Sequence, residues 1–281
     1  MRKLEVRCPS CSNRGYIEIS EEEVDKAARG VYAVNVTEGI TCEHSFVVYV
    51  DKNLTVRDTF IADFQLELPE ITSPQVKEPE TSPQIDLIDV SLIKLNLTAS
   101  LIVNIIRAIF FKKKVLLFTD QAFMVEQIRR FVDYITENSY ENSILVKSEE
   151  DYQPKSFKDY IVLKNYQILQ DNDDILNPKK INIERTLVRK FLEEYELIPS
   201  IIYLRNSIQK TYELSETIIE IVKNLKKKEK LIINKVIEEL ENVHGVKIQL
   251  PYLDFLYEIV ENYFKIQIPR SSKVTNFLST L

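Results

Sequence analysis

Glycine is scarce in this chain, and its scarcity removes a class of function. Only Gly15, Gly30, Gly39 and Gly245 occur in 281 residues, widely spaced. No glycine-rich loop is therefore present through which backbone amides would close on a phosphate, and the usual nucleotide fingerprints are absent. Long apolar runs are missing too: the longest, residues 97–111, is interrupted by Asn104 and Arg107 and falls short of the roughly 18 residues that span a bilayer. The opening Met1-Arg2-Lys3-Leu4-Glu5-Val6 has no apolar h-region. A soluble, cytoplasmic protein is the expectation. There is no Gly-x-Ser-x-Gly elbow, and His244 has no serine or cysteine motif beside it, so nothing supports a nucleophilic hydrolase. A carboxylate site assembled by tertiary structure stays open. Neither sign of charge dominates: the net charge of −6 argues against wholesale nucleic-acid binding while leaving room for a local basic patch. With 44% hydrophobic and 28% charged residues, the chain folds around one large core or two modest ones.

Cysteine and histidine are as rare as glycine, but they are not scattered. Of three cysteines and two histidines, four fall into two short pairs, Cys8-Pro9-Ser10-Cys11 and Cys42-Glu43-His44. A Cys-x-x-Cys turn brings two thiolates to one ion, and a second pair delivered by a hairpin completes the tetrahedron zinc favours. Cys8, Cys11, Cys42 and His44 together close such a site. A closed site leaves no position for water or substrate, so Zn2+ here is structural. The competing reading makes Cys8 and Cys11 a redox dithiol and Cys42 a small buried residue, but a redox pair belongs at the start of a helix after a strand. Pro9, Ser10, Ser12, Asn13 and Gly15 suit a metal knuckle better. Spacing alone also admits a three-ligand or water-completed site. With the Cys-Pro-x-Cys knuckle, a strand at residues 16–19 and a second ligand pair about thirty residues on, the first 65 or so residues resemble the zinc-ribbon family. That resemblance implies a fold, not a partner.

Beyond the knuckles, residues 31–36 and 45–50 read as strands, with Asp51-Lys52-Asn53 as hairpin chemistry because Asn tolerates a left-handed backbone. Residues 60–68 alternate with period two, as a half-buried strand does. Pro69, Pro74, Pro79 and Pro83 then mark an aperiodic linker or long surface loop. Residues 97–111 read as a buried helix ended by Lys112, Lys113 and Lys114. Residues 115–119 form an apolar strand, Phe123 to Ile135 recur at helical spacing, and residues 143–147 and 160–164 are two more strands. From Ile183 the pattern is helical, and the last helix begins at Pro251. The expected fold class is α+β or α/β. Residues 1–68 make a zinc-bound β domain, 69–86 a proline-rich linker, 87–182 an α/β module and 183–281 a helical bundle.

Other candidates carry less chemistry. Asp120 follows the strand at residues 115–119, where open α/β sheets place ligand-contacting groups, but capping the next helix is the preferred role. Asp171-Asn172-Asp173-Asp174 lacks the glycine and distal glutamate of a calcium loop and reads as a solvated turn. Lys226, Lys227 and Lys228 offer a basic binding run between two helices, where charge is more often simply solvated. His244, before Gly245, suits a helix C-terminus.

Residues 105–168 carry an apolar helix, then Lys113-Lys114-Val115-Leu116-Leu117-Phe118, a helix, and strands ending in Tyr160-Ile161-Val162-Leu163. This resembles the central part of DENN-type modules, which a helical region likewise follows. The resemblance implies a regulator or scaffold for small GTPases. The expected function is a non-catalytic protein-interaction or regulatory protein. A nucleic-acid-associated ribbon using Arg2, Lys3, Arg7 and Arg14, and an enzyme with a carboxylate site in the α/β module, are the alternatives.

Overall fold

A computed structural model describes residues 2–26, 31–61, 68–69, 85–148, 157–164, 167–225 and 231–269. The chain begins with β1 (Arg2–Arg7) and β2 (Arg14–Ile19), an antiparallel pair, then α1 (Glu21–Lys26). An antiparallel three-stranded sheet follows, in the order β3 (Val31–Val36), β4 (Phe46–Asp51), β5 (Val56–Ile61). The β4 sequence Phe-Val-Val-Tyr-Val is apolar at every position, so both faces of the strand must be buried. Phe46, Val48 and Val50 pack with Val6, Ile17 and Val36 in one core, whereas Val47 and Tyr49 join the main core with the helices. The Asp51 carboxylate accepts from the Asn53 and Thr55 amides, each at 2.9 Å, and sets the β4–β5 turn. The left-handed residue is Leu54 (φ 58°), not the Asn53 of the sequence reading, because the Asp51 side chain already organises the two preceding amides. The strand expected at residues 60–68 corresponds to β5, which starts earlier; residues 62–67 and 70–84, with most of the proline-rich segment, lie outside the described residues. Leu68 and Ile85, on either side of it, are both buried in the main core.

Two capped helices meet at a sharp corner next: α2 (Val90–Asn96), capped by Asp89 on the Leu92 amide, and α3 (Ala99–Phe110), capped by Thr98 on the Leu101 amide. They are bent by 108°. The second sheet contains β6 (Val115–Thr119), with α4 (Ala122–Thr136), β7 (Ile144–Ser148), β8 (Ile161–Lys164) and β9 (Gln167–Gln170) following. Its order is β7-β6-β8-β9, with β6 parallel to both neighbours and β9 antiparallel to β8. The sequence Gln-Ile-Leu-Gln of β9 is short and largely exposed, which left no periodic signal. Then come α5 (Asn182–Glu193), α6 (Leu197–Asn224), α7 (Ile233–His244) and α8 (Leu250–Asn262). The mixed α/β character and the helical C-terminal part agree with expectation. Among the described residues, no single helix is long and apolar enough to cross a membrane.

Helix α6 lies within the region read as helical, and it places hydroxyls in core positions. Ser200, Ser207, Thr211 and Ser215 are buried, and Ser200, Thr211 and Ser215 bond back to helix carbonyls at 2.6–2.7 Å. Lower on the same helix, the Lys210 Nζ lies 3.3 Å from His244 Nδ1 and Thr217 Oγ1 lies 2.8 Å from Nε2. An ammonium only donates, so Nδ1 accepts and the neutral imidazole donates from Nε2. Burial, aided by the Lys210 charge against the opposing Glu213 carboxylate, pushes His244 below its ordinary value. The unfolded chain then binds the extra proton first as pH falls through about 6.5, so this contribution to stability is complete above that pH and lost below it. In urea titrations between pH 7.5 and 5.5, the wild type should lose more stability than His244→Gln; equal losses would rule the linkage out.

Candidate metal centre

The β1–β2 loop carries the first pair. The Cys8 amide donates to the Asn13 carbonyl at 2.8 Å and the Ser12 amide to the Cys8 carbonyl at 2.9 Å, with Ser12 at φ 63°. These bonds curl the loop so that the Ser10 amide reaches Cys8 Sγ at 3.4 Å. The second pair lies between β3 and β4, where Gly39 takes φ 88° and its amide donates to the Cys42 carbonyl at 2.8 Å. The His44 amide points at Cys42 Sγ, 3.4 Å away. A Cβ on Gly15 would stand 2.9 Å from Thr41 Cγ2. The missing side chain at Gly15 is what lets the two loops approach.

The four ligand atoms of Cys8, Cys11, Cys42 and His44 all lie within 4.8 Å of one another. Bonds of about 2.3 Å to sulfur and 2.0 Å to nitrogen at tetrahedral angles separate such a pair by about 3.5 Å, and Cys42 Sγ stands 3.5 Å from His44 Nδ1. The set can hold a metal ion and is compatible with zinc. Electrostatics agree with that reading. Burial raises Cys8, but hydrogen bonds from the Cys11 and Ser10 amides and from the Cys42 and Cys11 thiols together leave it below its ordinary value. Burial, together with the neighbouring Cys8 and Cys11 sulfurs, pushes Cys42 up to about 11 despite the His44 amide. Three thiolates so close repel one another, and a divalent cation relieves that repulsion. A redox dithiol accounts for none of the geometry of Cys42 and His44.

The remaining candidates do not gather around this centre. Asp120 is exposed, and the cap position of α4 is held by Gln121 without a side-chain cap bond, so the capping role expected of Asp120 is not realised. Thr119 is the nearer organiser, accepting from the Gln121 amide at 3.2 Å. The acidic turn is a turn: Asp171 accepts from the Ile175 and Leu176 amides at 3.1 and 2.8 Å, and Asp173 pairs with Lys113 at 2.7 Å. Lys226, Lys227 and Lys228 lie outside the described residues. Sequence reasoning took Arg107 only as an interruption of an apolar run. It is instead a buried hub, 2% exposed, with Nη1 on Glu184 at 2.9 Å, Nη2 on Glu258 at 3.0 Å and the Phe111 ring 3.8 Å from its guanidinium carbon. A lone arginine in an apolar helix was the available signal, since a buried guanidinium requires carboxylate partners elsewhere in the chain. The chain matches no family model, no curated protein and no solved structure.

Proposed function

We propose that the protein is a non-catalytic protein-interaction or regulatory protein whose zinc is structural, and that its partner is another protein, with small GTPases the class the DENN-type resemblance implies. The observation that carries the reading is the saturated donor set: Cys8, Cys11, Cys42 and His44 supply four ligand atoms around one point. No coordination position is left for a substrate, so the ion acts on the fold. The central parallel β6, flanked by β7 and β8 and followed by helices, is consistent with the DENN-type pattern, an argument from fold analogy alone.

The other readings draw less support. Lys3 and Arg14, needed for a nucleic-acid face, are engaged by Glu18 at 3.9 Å and Glu5 at 3.2 Å, although Tyr16 beside them is 66% exposed. An enzyme reading needs Asp120 in a cleft, and Asp120 does not line the cavity between the first sheet and the helices. The test is biolayer interferometry of the full, zinc-loaded chain against a panel of purified small GTPases in GDP, GTP-analogue and nucleotide-free forms. Saturable binding that differs about tenfold between nucleotide states supports the reading. No binding to any member beyond that of an unrelated control protein overturns the GTPase assignment, and a steeply salt-dependent shift of RNA or DNA instead would move the function to the ribbon alternative.

A further inference from the structure

A cavity of about 630 Å³ lies between the first sheet and the corner where α2 meets α3, closed on its third side by the end of α5. That is within the range of small-molecule sites, about 300–1,000 Å³. Its floor is a cross-strand row: Ala33 pairs with Tyr49 and Tyr49 with Asp58, so the three share one face of the sheet. Ala33 leaves the space, and Tyr32, Tyr49 and Tyr195 contribute to the lining with Leu97 and Leu192. Much of the wall is therefore apolar or aromatic.

Four charged residues also line it, Arg57 and Lys94 against Asp58 and Glu193, so formal charge alone favours neither sign. They differ in how each is already held. Lys94 is 5% exposed, and its Nζ donates to the Phe191 and Glu194 carbonyls at 2.6 and 3.2 Å and stands 4.5 Å from the centre of the Phe191 ring. Its charge is occupied by the end of α5. Arg57 is drawn to Asp51 at the β4–β5 turn, 3.6 Å away. Asp58 accepts from the Ser100 amide and hydroxyl at 2.9 and 3.0 Å and from the Thr59 amide at 2.9 Å. Glu193 alone is uncommitted: among the described residues no hydrogen bond or ion pair reaches its carboxylate. It is open to solvent, as a group that receives a ligand must be. Partial loss of water nonetheless raises it above its ordinary value, against the Arg189 and Lys190 charges.

The field at the floor has the same sign. Burial raises the Tyr49 hydroxyl, and the Glu193 and Asp58 carboxylates raise it further; the opposing charge is that of Arg189, which does not line the cavity. Neither Arg57 nor Lys94 answers the carboxylates there. Helices α2 and α5 both end at this wall, and helix C-termini carry partial negative charge. At the N-terminus of α3, beside them, the Ser100 and Leu101 amides are already taken by Asp58 and Thr98.

We infer that this cavity binds a small organic ammonium with an apolar or aromatic body, Glu193 receiving the cationic head and the tyrosine-lined wall the body, at a site independent of the metal centre and of the GTPase reading. A cation that gives up part of its water is repaid by a carboxylate and by aromatic faces. Glu193 gains the partner that Lys94 and Arg57, engaged elsewhere, do not supply.

The test is equilibrium dialysis of the full chain against phenethylamine, with 2-phenylethanol and 3-phenylpropionate as neutral and anionic analogues of the same body. Salt is held at about 0.15 M, where charges outside the cavity are largely screened. The amine should bind saturably, one per chain, and about tenfold or more tighter than either analogue. Glu193→Gln keeps the side chain's shape and removes its charge. It should bring the amine to the affinity of the alcohol while the melting temperature stays unchanged, because no native hydrogen bond or ion pair is lost. Glu196→Gln, outside the cavity lining, should bind the amine as the wild type does. Equal binding of amine and alcohol overturns the inference, as does tighter binding of the acid or no saturable binding of the amine. So does an equal loss in the two glutamine variants, which would trace the effect to the net charge of −6.

Discussion

Elemental analysis of protein purified without added metal should return one zinc per chain, and Cys42→Ser or His44→Ala should lose it. The expected effect is large because metal and fold are formed together: structural zinc sites supply about 10–16 kcal/mol of apparent binding free energy near neutral pH. The two ligand loops have little else to hold them. Cys11 is exposed and Cys42 and His44 half-buried, and the local bonds around them run chiefly within each loop. Without the ion, the three thiols no longer share a compensating charge, and Cys42, raised to about 11, stays protonated at neutral pH. Both variants should therefore lower the melting temperature and free the β1–β2 pair for proteolysis, as should a strong chelator on the wild type. A wild-type chain without metal that melts at the same temperature with and without chelator would remove the centre and return Cys8 and Cys11 to the redox reading.

Replacing Arg107 by leucine should cost about 3–5 kcal/mol, the usual penalty for breaking a buried ion pair by removing one partner. The reason lies with Glu184. It is fully buried, its Oε1 depends on Arg107 and its Oε2 has no hydrogen-bond partner. Burial already raises the Glu184 carboxyl, and the Arg107 charge is the main opposing influence. Remove that charge and Glu184 must take up a proton or remain an uncompensated anion between α3 and α5. Glu258, 39% exposed, keeps access to water and should matter less. The double variant Arg107→Leu/Glu184→Leu should recover most of the loss, since both buried charges leave together. Urea midpoints for the two singles and the double complete the cycle; strictly additive losses would show that the pair is not coupled.

The cluster of Cys8, Cys11, Cys42 and His44, which could hold a metal ion, was legible in the sequence because it is made of rare residues at short spacing. Strands β3, β4, β6 and β8 were legible as apolar runs, and α3, α4 and the end of α6 by period. What stayed hidden was hidden for stated causes. The short β9 is polar at both ends, α6 puts serine and threonine in core positions, and Asp51 organises a turn that the sequence assigned to Asn53. Long-range pairing was invisible altogether. Nothing in the local sequence links Arg107 to Glu184, 77 positions away, or sets Asp58 on the start of α3 through Ser100. The cavity between the first sheet and the helices has the same character, since its lining comes from four separate stretches of chain, residues 31–35, 49–58, 94–99 and 192–195.

Because Val47 and Tyr49 of β4 belong to one core while Phe46, Val48 and Val50 belong to the other, the strand is a partition common to two rooms. A partition cannot be taken down from one side only. A metal ion bound at Cys8, Cys11, Cys42 and His44 would thereby be linked to the helical body by mass action, with free zinc adding stability to the whole as RT ln(1 + [Zn]/Kd). Heating should give a single transition whose midpoint climbs with zinc concentration. A cell that starves the chain of zinc would then weaken the helical body as well, although among the described residues the four candidate ligands all lie outside its helices.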